Sequence, residues 1–513
     1  GEGVTRFLCV HGHFYQPPRE NPWTGEVGIE ATAAPFPNWN ERITAECYRP
    51  NARPVVVLRD GSPVELPPNY SRMSFNFGPT LLAWLDLHAP DVSASIRRAD
   101  KESRERFSGH GSAIAQAYNH VILPLANARD KRTQVWWGIR DFEHRFGRSP
   151  EGMWLPETAV DLETLEVVAA FGIRFTILAP EQAARVRRVQ DGAAGAGWVD
   201  VSGARVDPRR PYRVRLPSGG SIAVFFYDGS ASHAIAFGAL SSGGEALAQR
   251  LAGLAADAPG PQLLHVATDG ETYGHHHRGG EVALAEAFAL LEASGFARLT
   301  NYGEFLAFHP PDWEAEIVEN TAWSCAHGLG RWRDDCTCRT GLKPDWVQVW
   351  RGPLRLALDG LRDSLAEVFE TESRGIFADP WAARDASIEA ILDPSPEAFD
   401  DLLRRHASGP LNPEQRDTAR RLLEMQRHAM LMYTSCGWFF DDPSGLETTQ
   451  ILRYAARAVE LTPPAARMPI ETAFLSSLAL APSNDPAAGD ARRIYQQNAG
   501  GPSAPPVVIV PSV

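Results

Sequence analysis

The chain has 513 residues, of which 44% are hydrophobic and 22% are charged, and its formal net charge is -13. A chain of this length predicts two or three domains, because one hydrophobic core rarely grows so large. The acidic balance and the lack of an apolar run near the ~20 residues that span a bilayer exclude nucleic acid and membranes as main partners. The six cysteines are too few for a disulfide scaffold and no secretory signal is recognisable, so a cytoplasmic protein with reduced thiols is predicted.

Short apolar runs that end in polar residues and precede helical stretches recur through the N-terminal two-thirds of the chain. Strands alternating with helices predict parallel β/α units and therefore an α/β fold. Functional groups just past strand ends are typical of a β/α barrel, whose site lies at the carboxyl ends of its strands. The predicted strands are 6–10, 152–155, 173–178 and 262–267, and the helices that follow the last three are 160–171, 180–187 and 281–294.

Two other patterns complete the predicted organisation. Residues 186–227 are alternating and turn-rich, which predicts a β-hairpin insertion. Beyond residue 343 apolar residues recur only at helical spacing, in 346–370, 396–406, 413–432 and 446–460. We therefore predict a β/α-barrel domain at 1–343, an α-helical domain at 344–482 and a flexible Pro/Ala/Gly-rich tail at 483–513.

The first two strand ends carry candidate site residues. His11 and His13 share one face of their strand, and the sequence gives equal weight to a structural pair and to a functional one. Glu157 follows an apolar strand and stands near Trp154, so it is either a helix cap or a catalytic carboxylate. The role of His120 is equally undecided, because it could be a functional residue or a hydrogen-bonded core histidine.

The segment after the fourth predicted strand favours function more strongly. Asp269, Gly270, Glu271, Tyr273 and Gly274 precede the histidines 275–277, and acids and histidines gain nothing from a core at this position. Glycoside cleavage needs one carboxylate at the anomeric carbon and one proton donor at the leaving oxygen. We assign this pair to Glu157 and Asp269. Aromatic and histidine side chains would contact the sugar: His11, His13, Trp154, Tyr273 and His275.

These motifs resemble glycoside hydrolase family 57. The family's strand-end His-x-His followed by Gln-Pro is matched by His11, His13, Gln16 and Pro17, with Phe14 and Tyr15 as extra intervening residues. Its nucleophile motif, Trp-Leu-x-Glu, is matched by residues 154–157, and its acid/base motif by residues 269–274. The stretch 109–125 is similar to the motif between them, with His120 in place. The resemblance covers roughly residues 5–345.

The resemblance implies an incomplete, seven-stranded β/α barrel and a retaining, double-displacement mechanism without a required cofactor. Glu157 would be the nucleophile and Asp269 the general acid/base. Oligo- or polysaccharides, α-glucans first, would be the substrates, and the choice of water or sugar as acceptor leaves hydrolase or transglycosylase open. The substrate-binding set would be His11, His13, Gln16, His120, Trp154, Glu271, Tyr273, His275 and Trp332.

A cysteine-rich stretch follows the barrel. Cys325, His327, Cys336 and Cys338 could bind one structural zinc ion, with Cys436 as an alternative to the histidine, or the thiols could simply be buried as small apolar groups. Trp332, between them, could instead form a wall of the sugar cleft. Together with residues 434–441, this stretch resembles a family 57 subgroup that carries an additional C-terminal domain of uncharacterised function.

Two other classes of function compete with the retaining glycosidase. A zinc-dependent carbohydrate hydrolase or deacetylase would use His11, His13 and Asp269 as ligands and would not need Glu157. A non-catalytic glucan-binding protein would use the 14 Trp and 23 Phe of the chain, and would not need a carboxylate pair.

Overall fold

The computed structural model describes residues 5–189 and 197–500. The chain forms two compact units that alternate along the sequence: the first comprises Gly1–Gln16, Ala33–Ala117 and Phe142–Trp323, and the second Pro17–Thr32, Tyr118–Asp141 and Ser324–Val513. The predicted domains at 1–343, 344–482 and 483–513 stay a prediction, whereas the units defined by internal contacts group two early segments with the second unit. Periodicity identifies an element but does not tell which unit a segment packs into.

The strands of the described residues all lie in the first unit. They are β1 (Arg6–Phe14), β2 (Val55–Val57), β3 (Pro63–Glu65), β4 (Ser74–Phe77), β5 (Ala115–Gln116), β6 (Met153–Trp154), β7 (Phe175–Leu178), β8 (Ala183–Arg188), β9 (Val199–Asp200), β10 (Tyr212–Arg215), β11 (Ser221–Phe226), β12 (Gln262–Asp269), β13 (Arg298–Leu299) and β14 (Trp313–Ile317).

Parallel pairing dominates the strands that lead to the candidate site. Strand β1 pairs in parallel with β12, β13 and β4, while β5 pairs in parallel with β6, and β7 with β11. The predicted α/β class is confirmed. Within the described residues these strands form separate sheets and no closed barrel. The number of barrel strands stays a prediction.

The region predicted as a β-hairpin insertion contains β8 to β11, and residues 190–196 of it lie outside the described residues. Strands β10 and β11 pair antiparallel, but β11 also pairs in parallel with β7. Residues Ile222–Phe226 of β11 are buried. A strand with an unbroken buried apolar run is typical of a parallel sheet that is covered on both faces, so β11 belongs with the parallel strands as well.

The helices of the first unit flank these strands. Helix α6 begins after Asp161, whose side chain accepts a hydrogen bond from the backbone of Thr164. Helix α7 is capped by Asp228 in the same way. The helices up to residue 308 are α1 (Trp39–Ile43), α2 (Arg49–Ala52), α3 (Pro79–His88), α4 (Pro90–Arg106), α5 (Ala128–Phe146), α6 (Leu162–Ala170), α7 (Gly229–Ala236), α8 (Gly243–Ala252), α9 (Gly280–Ser294) and α10 (Tyr302–Phe308). Of these, α5 belongs to the second unit up to Asp141.

From residue 324 onward the described residues of the second unit contain helices and no strand of the sheets above. They are α11 (Arg351–Glu372), α12 (Pro380–Ala386), α13 (Ile388–Leu392), α14 (Pro396–His406), α15 (Pro413–Leu431), α16 (Cys436–Phe439), α17 (Leu446–Glu460), α18 (Pro464–Leu478) and α19 (Ala491–Asn498). None of the helices in the described part of the chain has the length and hydropathy needed to cross a membrane.

The predicted flexible tail begins with a packed helix. Ile494 and Tyr495 of α19 are buried, and the Tyr495 hydroxyl donates a hydrogen bond to Glu471. The high Ala and Gly content of the tail concealed these two apolar anchors. Residues 501–513 of the predicted tail lie outside the described residues.

Candidate active site

Glu157 lies in a strained turn at the end of β6. The turn spans Pro156–Thr158, and Glu157 (φ 59°, ψ 17°) and Thr158 (φ 49°) both have left-handed backbones. Such a conformation costs about 1–3 kcal/mol per non-glycine residue and persists only where surrounding contacts enforce it. Two consecutive residues of this kind therefore mark a turn that its surroundings hold in place.

The contacts that enforce the turn come from Trp323 and Gln182. The Trp323 backbone N–H donates to the Glu157 carbonyl at 2.9 Å, and its indole N–H donates to Glu157 Oε2 at 2.9 Å. The Gln182 amide accepts from the Thr158 hydroxyl and donates to the Thr158 carbonyl, both at 2.8 Å. The half-buried Glu157 carboxylate is thus fixed in direction by a charge-assisted hydrogen bond.

Asp269 is the last residue of β12 and stands opposite His13 in the register of β1. The next residue, Gly270, packs under the Phe14 ring, where an added Cβ would lie 2.3 Å from a ring carbon. Glycine is therefore required here, because any side chain would push the strand end away from β1. The close packing sets the position of the Asp269 carboxyl relative to the adjacent strand.

The charge of Glu157 affects the pKa of Asp269. The Asp269 side chain keeps solvent-accessible surface, yet protein atoms crowd it on its other sides. This loss of hydration, and secondarily the negative charge of Glu157, raise the pKa of Asp269 to about 7. The pKa of the buried Tyr227 is raised well above its usual range by burial and by the charges of Glu181, Asp269 and Glu157. Tyr227 thus lies near both members of the pair.

The predicted histidine pair packs against Trp154. His11 and His13 both stack on this indole with ring centroids 5.0 Å away, at 10° and 15° respectively. Trp323 meets the same indole edge-on at 5.1 Å. His11 and Trp154 are fully buried, so they present no surface to a sugar in this structure. Trp154 instead packs against Trp323, which is hydrogen-bonded to Glu157.

Asn76 is hydrogen-bonded to both imidazoles. Its Oδ1 accepts from His11 Nε2 at 2.9 Å, and its Nδ2 donates to His13 Nδ1 at 2.8 Å and to Gln116 at 3.0 Å. With the amide in this orientation, His13 Nδ1 is the acceptor of the bond from Asn76. Burial lowers the pKa of His11 to about 3, so that ring is neutral; its Nδ1 is hydrogen-bonded to the Ser74 hydroxyl at 2.8 Å.

After Asp269, residues 270–274 are buried and His275 is half-buried. Glu271 accepts hydrogen bonds from the Tyr15 backbone and from the Tyr48 hydroxyl, both at 2.8 Å. Burial, and secondarily the charge of Asp269, raise the pKa of Glu271 to about 8. Tyr273 is fully buried, and the half-buried His275 pairs with Glu46 at 2.5 Å.

Three other residues complete the predicted set. Gln16 is half-buried in the first unit, and its side-chain amide donates to the Tyr15 carbonyl at 3.1 Å. His120 belongs to the second unit, where it is buried and its Nδ1 lies 2.5 Å from the Ser435 hydroxyl. Burial lowers its pKa to about 3. Trp332 also belongs to the second unit and is fully buried.

Sequence reasoning missed Tyr227 and Trp323. Tyr227 directly follows the apolar run of β11, which is the same signal that identified Asp269. The hairpin interpretation of residues 186–227 concealed it. Trp323 offers no local signal, since it stands in a loop 166 residues from Glu157.

The predicted metal ligands gather in the second unit. The ligand atoms of Cys325, His327, Cys336 and Cys338 lie within 4.8 Å of one another.

Two family models match the chain: glycosyl hydrolase family 57 over residues 59–316, and a domain of unknown function (DUF3536) over residues 346–504. The exo-type maltose-forming amylase from Pyrococcus sp. ST04 has a similar fold, with a TM-score of 0.71 and 14% identity over 96% of this chain and 91% of that one. The branching enzyme from Pyrococcus horikoshii has a TM-score of 0.52 and 16% identity over 89% of this chain and 88% of that one.

A further structure with a TM-score of 0.52 is the 4-α-glucanotransferase from Thermococcus litoralis, 16% identical over 90% of this chain and 60% of that one. Alpha-amylase 1 of Dictyoglomus thermophilum is 23% identical over 106 residues, which are 21% of this chain but only 15% of that protein. Fold and family matches together define an α/β protein of the glycosyl hydrolase type. The chain belongs to glycosyl hydrolase family 57, and the predicted additional C-terminal domain of unknown function is confirmed.

Proposed function

We propose that this protein is a retaining α-glycoside hydrolase or transglycosylase that acts on α-glucans, with Glu157 as nucleophile and Asp269 as general acid/base. Family membership supports the reaction class, and the amylase, branching enzyme and glucanotransferase with similar folds support the substrate class. The observation that carries the proposal is the coupled pair: an oriented carboxylate at Glu157 whose charge helps to raise the pKa of Asp269 to about 7.

In the first step the Glu157 carboxylate attacks the anomeric carbon as the bond to the leaving oxygen breaks, and Asp269 gives that oxygen its proton. The product is a glycosyl ester on Glu157. Forming the ester removes the negative charge of Glu157, so the pKa of Asp269 falls and its carboxylate can act as a base. Asp269 then takes the proton of the acceptor hydroxyl as the acceptor oxygen attacks and releases Glu157.

We further propose that β12, β1, β4, β5, β6, β7 and β11 are the strands of an incomplete seven-stranded β/α barrel. Parallel pairing joins several neighbours in this order, and isolated parallel bridges at Phe75–Ala113 and Gly152–Phe175 support the remaining links. In such a barrel the ends of β6 and β12 would share one edge, where the carboxylates would meet.

In this proposal, the accessible and the buried members of the predicted substrate-binding set have different roles. Gln16 and His275 keep accessible surface and would contact sugar hydroxyls. The buried His11, His13, Trp154, Glu271 and Tyr273 would hold these groups in position. Roles for His120 and Trp332 of the second unit in substrate binding remain part of the proposal.

The two alternatives have less support. Both ring nitrogens of His11 are engaged by Ser74 and Asn76, and Asn76 also engages His13, which argues against a zinc site built on this pair. A purely glucan-binding protein would have no use for the strained turn that aims Glu157.

The test compares the unaltered protein with Glu157→Gln on a panel of α-gluco- and α-galacto-oligosaccharides, with product sizes and anomers resolved. Glu163→Gln, an exposed change on α6, is the matched control. We expect retained-anomer products from the unaltered protein and the control and loss of them in Glu157→Gln. Products longer than the input would identify a transglycosylase. Activity that survives Glu157→Gln and disappears with a chelator would overturn the proposal.

A further inference from the structure

The second unit contains a compact group of sulfur and nitrogen ligands that the proposed glycosidase chemistry does not use. Cys325, His327, Cys336 and Cys338 flank a short 3₁₀ turn, Gly330–Trp332. Among the described residues this is the group of His, Cys, Asp and Glu side chains whose geometry could hold a metal ion. Its four members supply one imidazole and three thiols.

Two of the distances between ligand atoms match those of a tetrahedral zinc site. Cys325 Sγ lies 3.7 Å from Cys336 Sγ, and Cys338 Sγ lies 3.5 Å from His327 Nδ1. With Zn–S bonds of about 2.3 Å and a Zn–N bond of about 2.1 Å, tetrahedral geometry separates two sulfurs by roughly 3.8 Å and a sulfur from a nitrogen by roughly 3.6 Å. His327 Nδ1 is somewhat closer to Cys336 Sγ, at 3.1 Å.

The backbone around the sulfurs is arranged to stabilise thiolates. The His327 N–H donates to Cys325 Sγ at 3.4 Å, and the Cys338 N–H donates to Cys336 Sγ at 3.3 Å. The two pairs thus repeat one local arrangement, in which the residue two positions after a cysteine donates to its sulfur and also supplies a ligand. Hydrogen bonds of this kind orient metal-bound sulfurs and tune their charge. Gly328 follows His327 with φ +75°, a turn that glycine adopts without strain.

Two buried arginines of the second unit donate hydrogen bonds to the backbone in and around this loop. Arg351 of α11 is fully buried and donates to the Cys338 carbonyl at 2.7 Å and to the Cys336 carbonyl at 3.4 Å. Arg331 donates to the Ser324 carbonyl and to the Phe439 carbonyl, both at 3.0 Å. These bonds set the positions of both ligand pairs before any ion binds.

Simple burial of the thiols does not account for this arrangement. His327 is exposed and Cys338 is half-buried, so the cluster opens to solvent on one side, which would admit an ion. A disulfide between Cys325 and Cys336 would not explain why His327 and Cys338 lie in the same group.

We propose that Cys325, His327, Cys336 and Cys338 bind one Zn²⁺ ion that stabilises the second unit. Four protein ligands fill the tetrahedral shell and leave no open position, so the ion is structural. The three thiols release their protons to solvent as the Zn–S bonds form. Through Arg351 and Arg331 the ion stiffens the loop against α11 and the Phe439 backbone.

The test measures zinc per chain in full-length protein, purified under reducing conditions without a polyhistidine tag and supplied with Zn²⁺. Elemental analysis and native mass spectrometry are applied to the unaltered protein, Cys338→Ser and His327→Ala. Cys436→Ser is the matched control, since Cys436 is also half-buried in the second unit but lies outside the group. Substitution of cobalt for zinc in the unaltered protein reports the ligand geometry through its visible spectrum and does not depend on any variant.

We expect one zinc ion per chain in the unaltered protein and in Cys436→Ser, and zinc affinity about 10-fold or more weaker in the two ligand variants. The cobalt form should show the intense visible bands of a tetrahedral thiolate site, and a chelator should lower the melting temperature. Absence of bound zinc in the unaltered protein, an octahedral cobalt spectrum or a Cys325–Cys336 disulfide in the reduced preparation would each overturn the proposal. Since no readout is glycosidase activity, failure here leaves the proposed function untouched.

Discussion

Trp323 binds Glu157 twice: its indole N–H donates to the carboxylate and its backbone N–H donates to the carbonyl, both at 2.9 Å. The two bonds fix the direction of the side chain and the left-handed backbone that carries it. Trp323 itself lies edge-on against Trp154, and both His11 and His13 stack on that indole. A chain of ring contacts thus connects the N-terminal histidine motif to the proposed nucleophile.

Trp323→Phe should lower kcat about 30-fold. A hydrogen bond to a charged group contributes about 1.5–3 kcal/mol, and phenylalanine keeps most of the ring packing while it removes the donor. The backbone bond to the Glu157 carbonyl remains, so the fold should persist. Steady-state kinetics with Trp313→Phe as control, a half-buried tryptophan of β14, would check this; equal effects in both variants would refute it.

The activity should decline on the alkaline side of about pH 7. Asp269 must be protonated to act as the acid, and burial together with the charge of Glu157 raises its pKa to about 7. The profile of kcat/KM against pH reports the free enzyme. A profile that stays flat up to pH 9 would contradict the assigned role of Asp269.

Glu271 should make the protein less stable as the pH rises. Its pKa is raised from 4.5 to about 8 in the folded protein, so the folded state holds the proton more tightly than the unfolded one. Its contribution to the free energy of unfolding is complete below pH 4.5 and is lost as the pH rises through 8, with a slope of at most about 1.4 kcal/mol per pH unit.

Glu271→Gln should flatten this dependence, because glutamine keeps an acceptor for Tyr15 and Tyr48 but does not titrate. Denaturant unfolding between pH 5 and pH 8 measures it, with the exposed Glu163→Gln as control. An identical pH dependence in Glu271→Gln and the unaltered protein would show that Glu271 titrates normally.

Because of the strain at Glu157, a glycine variant should be more stable there than an alanine variant. This is the reverse of the order expected in a helix. Both Glu157→Gly and Glu157→Ala remove the carboxylate, but only glycine adopts φ 59° freely, so the glycine variant should be more stable by about 1–2 kcal/mol. At Glu163, in the first turn of α6, the same pair should favour alanine. Alanine proving the more stable at both positions would mean that the turn at Glu157 relaxes.

Local sequence was sufficient to locate the strand-end motifs. An apolar run that stops at a carboxylate identified Glu157 and Asp269, and the spacing of His11 and His13 placed them on one strand face, because side-chain direction in a strand follows from period two alone. The same local signal was present at Tyr227, but the turn-rich sequence around it favoured a hairpin.

Long-range relationships were not predictable in this way. The role of Trp323 depends on a contact across 166 residues, and the membership of His120 in the second unit depends on which surface its loop packs against. The spacing of the four zinc ligand candidates matched no common module, yet the folded loop brings their ligand atoms within 4.8 Å.

The sequence by itself determined the α/β class, the helical character of the later part of the chain, the family and the candidate carboxylates. Periodicity and turn chemistry act between residues a few positions apart, so they are readable along the chain. Only the tertiary structure decided how Glu157 is aimed, why the pKa of Asp269 is raised and which segments form each unit. These properties arise from burial and from contacts between distant residues, and packing of the whole fold sets both.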